Sequence, residues 1–142
     1  MRTGCNAFCV IFCLAIAGIL GSAQAQAQTI RGSASIALKS GETVEVGNVY
    51  FTSHCRSLLK SPPEVEILEG PPGVTATIKE AMVLPRAGHC ANRVPGGKLI
   101  FTAKDIEDAS YTPITLRFIY KTKDGERKFS QVFDLSLLPW WR

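Results

Sequence analysis

Two histidine–cysteine pairs, His54-Cys55 and His89-Cys90, hold both histidines of the chain and two of its five cysteines. Such a set serves three kinds of site chemistry. Two thiolates with two imidazoles suit tetrahedral zinc. A cysteine, two histidines and an axial methionine suit blue copper. A thiolate beside an imidazole makes a nucleophile. None of the three is favoured. No Cys-x2-4-Cys pair of the zinc type is present, and Met82 is the one methionine after the first residue. Oxidation of Cys55 and Cys90 to a disulfide requires only an oxidising compartment, and it disarms both thiols as ligands or nucleophiles.

The N-terminus predicts that compartment. Arg2 precedes an uncharged apolar run over residues 7–20, and small residues follow with two Ala-x-Ala sites. Residues 1–27 therefore read as a secretory signal peptide, cleaved after Ala25 or Ala27. The run is shorter than the ~20 residues that a membrane span needs, so no transmembrane anchor is expected once it is removed. Cys5, Cys9 and Cys13 leave with the leader, none of them placed after the apolar run where a lipid-anchoring cysteine belongs. Two cysteines remain, an even number in an exported chain. Residues 28–142 are long enough for one domain. Loss of Arg2 takes the net charge from +4 to +3, too mild and too mixed for a nucleic-acid-binding face.

The elements that position the two pairs read as β-strands. Val49, Phe51, Ser53 and Cys55 alternate with Asn48, Tyr50, Thr52 and His54. Alternation puts Cys55 on the face of Phe51 and His54 on the opposite one. Val65 and Ile67 alternate with glutamates, and Val74, Ala76 and Ile78 alternate with threonines and Lys79. Two prolines between two glycines turn the chain over residues 70–73. Residues 64–79 thus make a hairpin, or two consecutive antiparallel strands. A second turn is expected at Val94-Pro95-Gly96-Gly97, with a strand from Lys98 to Thr102. Asp105, Glu107 and Asp108 fall in an acidic loop or a single helical turn. Ile114, Leu116, Phe118 and Tyr120 share a strand face, an Asp-Gly turn follows at Asp124-Gly125, and the return strand carries Phe129, Phe133, Leu135 and Leu137. Six to eight short strands predict an all-β antiparallel sandwich.

Through Gly88-His89-Cys90 and the run from Val94 to Thr102, with the Pro72-Gly73 turn and the aromatic final hairpin (Phe118, Tyr120, Phe133), the chain resembles the bacterial immunoglobulin-like or cadherin-like domains of secreted and cell-surface proteins. The resemblance spans residues 34–138. It implies an immunoglobulin-like β-sandwich that binds or builds and does not catalyse. Antibody-type domains bury a tryptophan against an inter-sheet disulfide, whereas the tryptophans here, Trp140 and Trp141, end the chain. The Asp105–Asp108 stretch does not match cadherin calcium linkers.

No Gly-x-Ser-x-Gly elbow and no His-Glu-x-x-His motif occurs, and no enzyme, metal or cofactor is expected. Two features suit an interaction surface. Lys121, Lys123, Arg127 and Lys128 gather at the last hairpin, and Trp140 with Trp141 offers an aromatic pair of a kind enriched at interface hot spots. The expectation is a periplasmic or secreted, non-catalytic binding or architectural module whose partner is a protein or another envelope component. The alternatives are a small hydrolase inhibitor acting through residues 57–63 or 87–95, and a periplasmic metal carrier.

Overall fold

The computed structural model describes residues 35–142 and the backbone of Gln26–Ala27; the predicted leader otherwise lies outside the described residues. The chain is all-β, and no α-helix occurs among the described residues. Its strands are β1 (Gln26–Ala27), β2 (Ile36–Lys39), β3 (Thr43–Val49), β4 (Phe51–Ser53), β5 (Arg56–Ser57), β6 (Glu64–Glu69), β7 (Val74–Val83), β8 (Val94–Ala103), β9 (Ser110–Thr122) and β10 (Gly125–Leu138), with one 3-10 turn at Ala87–His89.

Two sheets hold most of the chain. One has the order β2-β10-β9-β6 and the other β3-β8-β7, while β1-β4-β5 form a small third sheet. All pairings are antiparallel except β2 with β10, where Ile36 lies opposite Leu135 and Leu38 opposite Leu137. One core cluster draws Val74, Leu99 and Phe101 from the three-stranded sheet and Leu38, Ile114, Leu116, Phe118, Tyr120 and Leu135 from the four-stranded one. The face predicted for Ile114 to Tyr120 is that buried face. Phe133, Leu135 and Leu137 are buried as well, but Phe129 is 45% exposed, near the rings of Tyr120 and Phe51 at 5.7 and 6.1 Å.

Three local expectations fail, each for a physical reason. Residues 64–79 are not a hairpin: β6 pairs with β9 and β7 with β8, so the proline-rich connection carries the chain from one sheet to the other. Gly96 and Gly97 do not turn the chain but sit buried inside β8, opposite Ala81 and Glu80. Side chains there would strike neighbouring strands. A Cβ on Gly96 would lie 2.6 Å from the Val49 carbonyl oxygen, and one on Gly97 would overlap the Ile78 side chain. Cys55, finally, is not on the inner strand face. Strand β4 ends at Ser53, and His54 and Cys55, with φ of 49° and 60°, form the two-residue turn into β5. Paired positive φ values are the geometry of a tight hairpin turn that follows the strand twist.

The last hairpin reverses at Lys123 and Asp124, one residue earlier than the Asp-Gly pair suggests, and Gly125 takes φ 113°. Thr122 Oγ1 accepts from the Asp124 amide at 3.2 Å and donates to the Gly125 carbonyl at 2.8 Å, which fixes the tip.

Candidate functional site

The strands run between two ends, and the end that carries the disulfide gathers four segments remote in sequence. Cys55 and Cys90 are bonded, with Cα atoms 5.4 Å apart, joining the β4–β5 turn to the β7–β8 connection. Ser57 Oγ donates to the Pro95 carbonyl at 3.2 Å, across the same junction. Residues 58–63 are tied to the final hairpin by a bridge between Leu59 and Thr122 and by the Lys60 amide donating to the Lys121 carbonyl at 2.7 Å. The Tyr50 hydroxyl, buried with Val83 and Val94 in a second small core, accepts from the Arg86 amide at 3.0 Å. These loops are thus a sewn surface and not separate excursions.

Charge concentrates on that surface. Lys121 is committed to Glu64 at 2.9 Å, a bond that holds its ammonium protonated above the ordinary lysine range. Lys128 pairs with Glu126 at 3.2 Å. Arg56, Lys60, Arg86, Arg93, Lys123 and Arg127 are exposed, and among the described residues none has a carboxylate within ion-pair distance. Two of the four predicted hairpin cations therefore remain available. The fold adds Arg56, Lys60, Arg86 and Arg93, which the sequence reading did not select. A usable signal was there: Arg56 follows Cys55, and Arg86 and Arg93 flank Cys90, so accepting the bond already groups them.

Two shallow concavities flank Leu59. One, of about 250 Å³, is lined by Leu59, Lys60, Ser61, Pro62, Glu80, Pro95 and Gly96; the other, of about 170 Å³, by Ser57, Leu58, Leu59, Thr122, Lys123 and Asp124. Ligand pockets usually enclose ~300–1,000 Å³, so these holes suit single side chains of a partner better than a small molecule.

The reactive set does not assemble. Ser53 Oγ lies 3.1 Å from His54 Nδ1, but no carboxylate among the described residues orients that ring, and both thiols are spent in the disulfide. Among the described residues no group of three or more His, Cys, Asp or Glu side chains is placed to hold a metal ion. Burial, and then the neighbouring Tyr50, push the Tyr120 phenol far above its usual range, as expected for a core tyrosine packed 5.3 Å from the Phe51 ring.

Trp140 and Trp141 lie at the opposite end, 71% and 58% exposed, with rings edge-on 6.0 Å apart. They are the only tryptophans of the chain. The isolated monomer is therefore expected to emit red-shifted tryptophan fluorescence that iodide quenches readily; a blue-shifted, protected spectrum would contradict this placement.

A comparison with protein-family models finds no match, and a comparison with curated proteins finds no similar sequence. Among the described residues no helix is long and apolar enough to cross a membrane.

Proposed function

We propose that this chain is a non-catalytic, immunoglobulin-like binding or architectural module of the periplasm or the secreted fraction, and that it binds through its disulfide end. The leader supports the compartment. The strand order supports the fold reading. Strands β3, β8 and β7 take the places of B, E and D in an immunoglobulin-type sandwich, and β6, β9 and β10 those of C, F and G. Strand β2 then lies alongside G. The disulfide departs from the antibody pattern because it joins loops at one end.

The observation that carries the functional half is the sewn loop surface with six exposed cations that, among the described residues, join no ion pair. A rigid, charged surface built from loops on a β scaffold is a common placement for binding residues. Unneutralised cations speed encounter with an acidic partner and favour it over basic ones.

Site-specific photocrosslinking in the native exported fraction tests the reading. Crosslinkers at Arg56 and Lys123 should give adducts of defined mass, and crosslinkers at Thr77 and Asp134, on strand positions away from the loops, should not. Adducts from the strand positions alone, or from none of the four, would refute it. A second reading, a hydrolase inhibitor, draws on one observation: residues 57–63 and 87–95 meet at this same end, joined by the Ser57–Pro95 bond. Stoichiometric loss of a hydrolase's activity on mixing separates it from the first.

A further inference from the structure

The two ends of the molecule are complementary to each other. Opposite the basic loops, the turn at Ser40 and Gly41, the connections 70–73 and 104–109, and the tail 139–142 form a second sewn surface. The Ser40 amide donates to the Leu138 carbonyl and the Gly41 amide to that of Ala103, both at 2.8 Å. The Lys104 amide reaches the Gly73 carbonyl at 2.8 Å, and the Ile106 amide reaches Ser40 Oγ at 3.1 Å. This surface exposes Glu42, Asp105, Glu107 and Asp108, with Lys104 and Arg142 among them, none in an ion pair among the described residues, together with the tryptophan pair.

Each end holds what the other needs. The acidic end projects two large, mostly exposed aromatic side chains that touch each other edge-on. The basic end offers two side-chain-sized hollows walled by Leu58, Leu59, Pro62 and Pro95, one also lined by Lys60 and Glu80 and the other by Lys123 and Asp124. An indole seated there would bury its ring against apolar walls with an ammonium near its face. The acidic side chains around it would meet Arg56, Lys60 and Arg127.

We infer that copies of this chain associate head to tail, the Trp140–Trp141 end of one seated on the basic loop end of the next. The inference rests on the loop end being a binding surface, and it names another copy as the occupant. Such a contact is heterologous: every copy offers one donor end and one acceptor end, so association continues into linear arrays or rings. Its reliance on exposed charge makes it sensitive to salt.

The test uses the full exported chain in sedimentation velocity over a range of concentrations. At low salt the wild type should form concentration-dependent dimers and longer species, and about 0.5 M salt should weaken them at least ~ten-fold. Trp140→Ala/Trp141→Ala and Lys123→Glu/Arg127→Glu should each stay monomeric, with thermal melts unchanged because all four positions are exposed. An equimolar mixture of the two variants should give a one-to-one heterodimer and nothing longer, since only one intact interface remains. A wild type monomeric at every concentration, a variant that still assembles alone, or a mixture that fails to pair would each overturn the inference. Loop-end photocrosslinks to a foreign protein with a monomeric wild type would do so too, while leaving the binding reading in place.

Discussion

Replacing Cys55 and Cys90 together by serine is expected to cost about 4 kcal/mol of folding free energy, the chain-entropy value for a closed loop of this size. The bond spans a sequence separation of 35 and is not at the edge of the structure's logic. It fixes the β4–β5 turn against the β7–β8 connection, and of the four non-glycine residues with positive φ among the described residues, three stand at it: His54, Cys55 and His89. Backbone held in that region persists only where its surroundings over-determine it. Reduction should therefore loosen both loops before it loosens the two large sheets. Denaturant titration of the double variant, set beside wild type with and without reductant, measures the effect. Of a total stability of ~5–15 kcal/mol, a loss of this size leaves a marginal domain. A loss below about 1 kcal/mol would mean that the loops hold their geometry without the bond. Amide exchange at Arg86 and Asn92 should rise in the same variant more than exchange at Leu116, because the local tether is gone while the core ladder stays paired.

The sequence made the central hairpin and its buried face readable because alternation there is uninterrupted and both strands are long. β9 and β10 pair continuously from Ser110–Leu137 to the tip, so the period-two pattern and the true pairing coincide. Residues 48–55 show the opposite case. Their pattern also alternates, yet Val49, Tyr50, Phe51 and Thr52 are all buried, and the strand breaks at Tyr50. Strict alternation assumes one wet face. Here the second face is covered by Val83 and Val94, which come from the far side of a connection that no local signal predicts. The candidate site was legible only in part for a related reason. Lys121, Lys123, Arg127 and Lys128 adjoin in sequence, whereas Arg56, Lys60, Arg86 and Arg93 reach them through a disulfide, a β-bridge and three hydrogen bonds. Local reading also could not tell that Glu64 neutralises Lys121, since that pairing is set by the register of β6 on β9.

Gly96→Ala should cost about 3 kcal/mol, the upper part of the usual range for overpacking a filled interior. The added carbon would sit 2.6 Å from the Val49 carbonyl oxygen, 2.8 Å from Val83 Cγ2 and 3.4 Å from Tyr50 Cβ. A flexible side chain could move aside, but the first obstacle is backbone. Val49 is paired with Gly97 in the β3–β8 ladder, so its carbonyl cannot retreat without disturbing that pairing. Gly97→Ala should cost less, because the nearest obstacle is the Ile78 side chain at a partly buried position. Gly41→Ala supplies the control. Its Cβ meets nothing, so only the left-handed backbone, at φ 86°, opposes the change, and the expected loss is about 1 kcal/mol. Chemical denaturation should return that order of midpoints with an unchanged denaturant slope. The Gly96 variant should also show a local effect. Pressure on Tyr50 Cβ would displace the hydroxyl that accepts from the Arg86 amide, so the loop end should lose order, and self-association with it, in denaturant-free buffer. Equal losses at Gly96 and Gly41 would mean that β8 lies farther from β3 than the ladder places it, and Gly96 would then be a turn glycine after all.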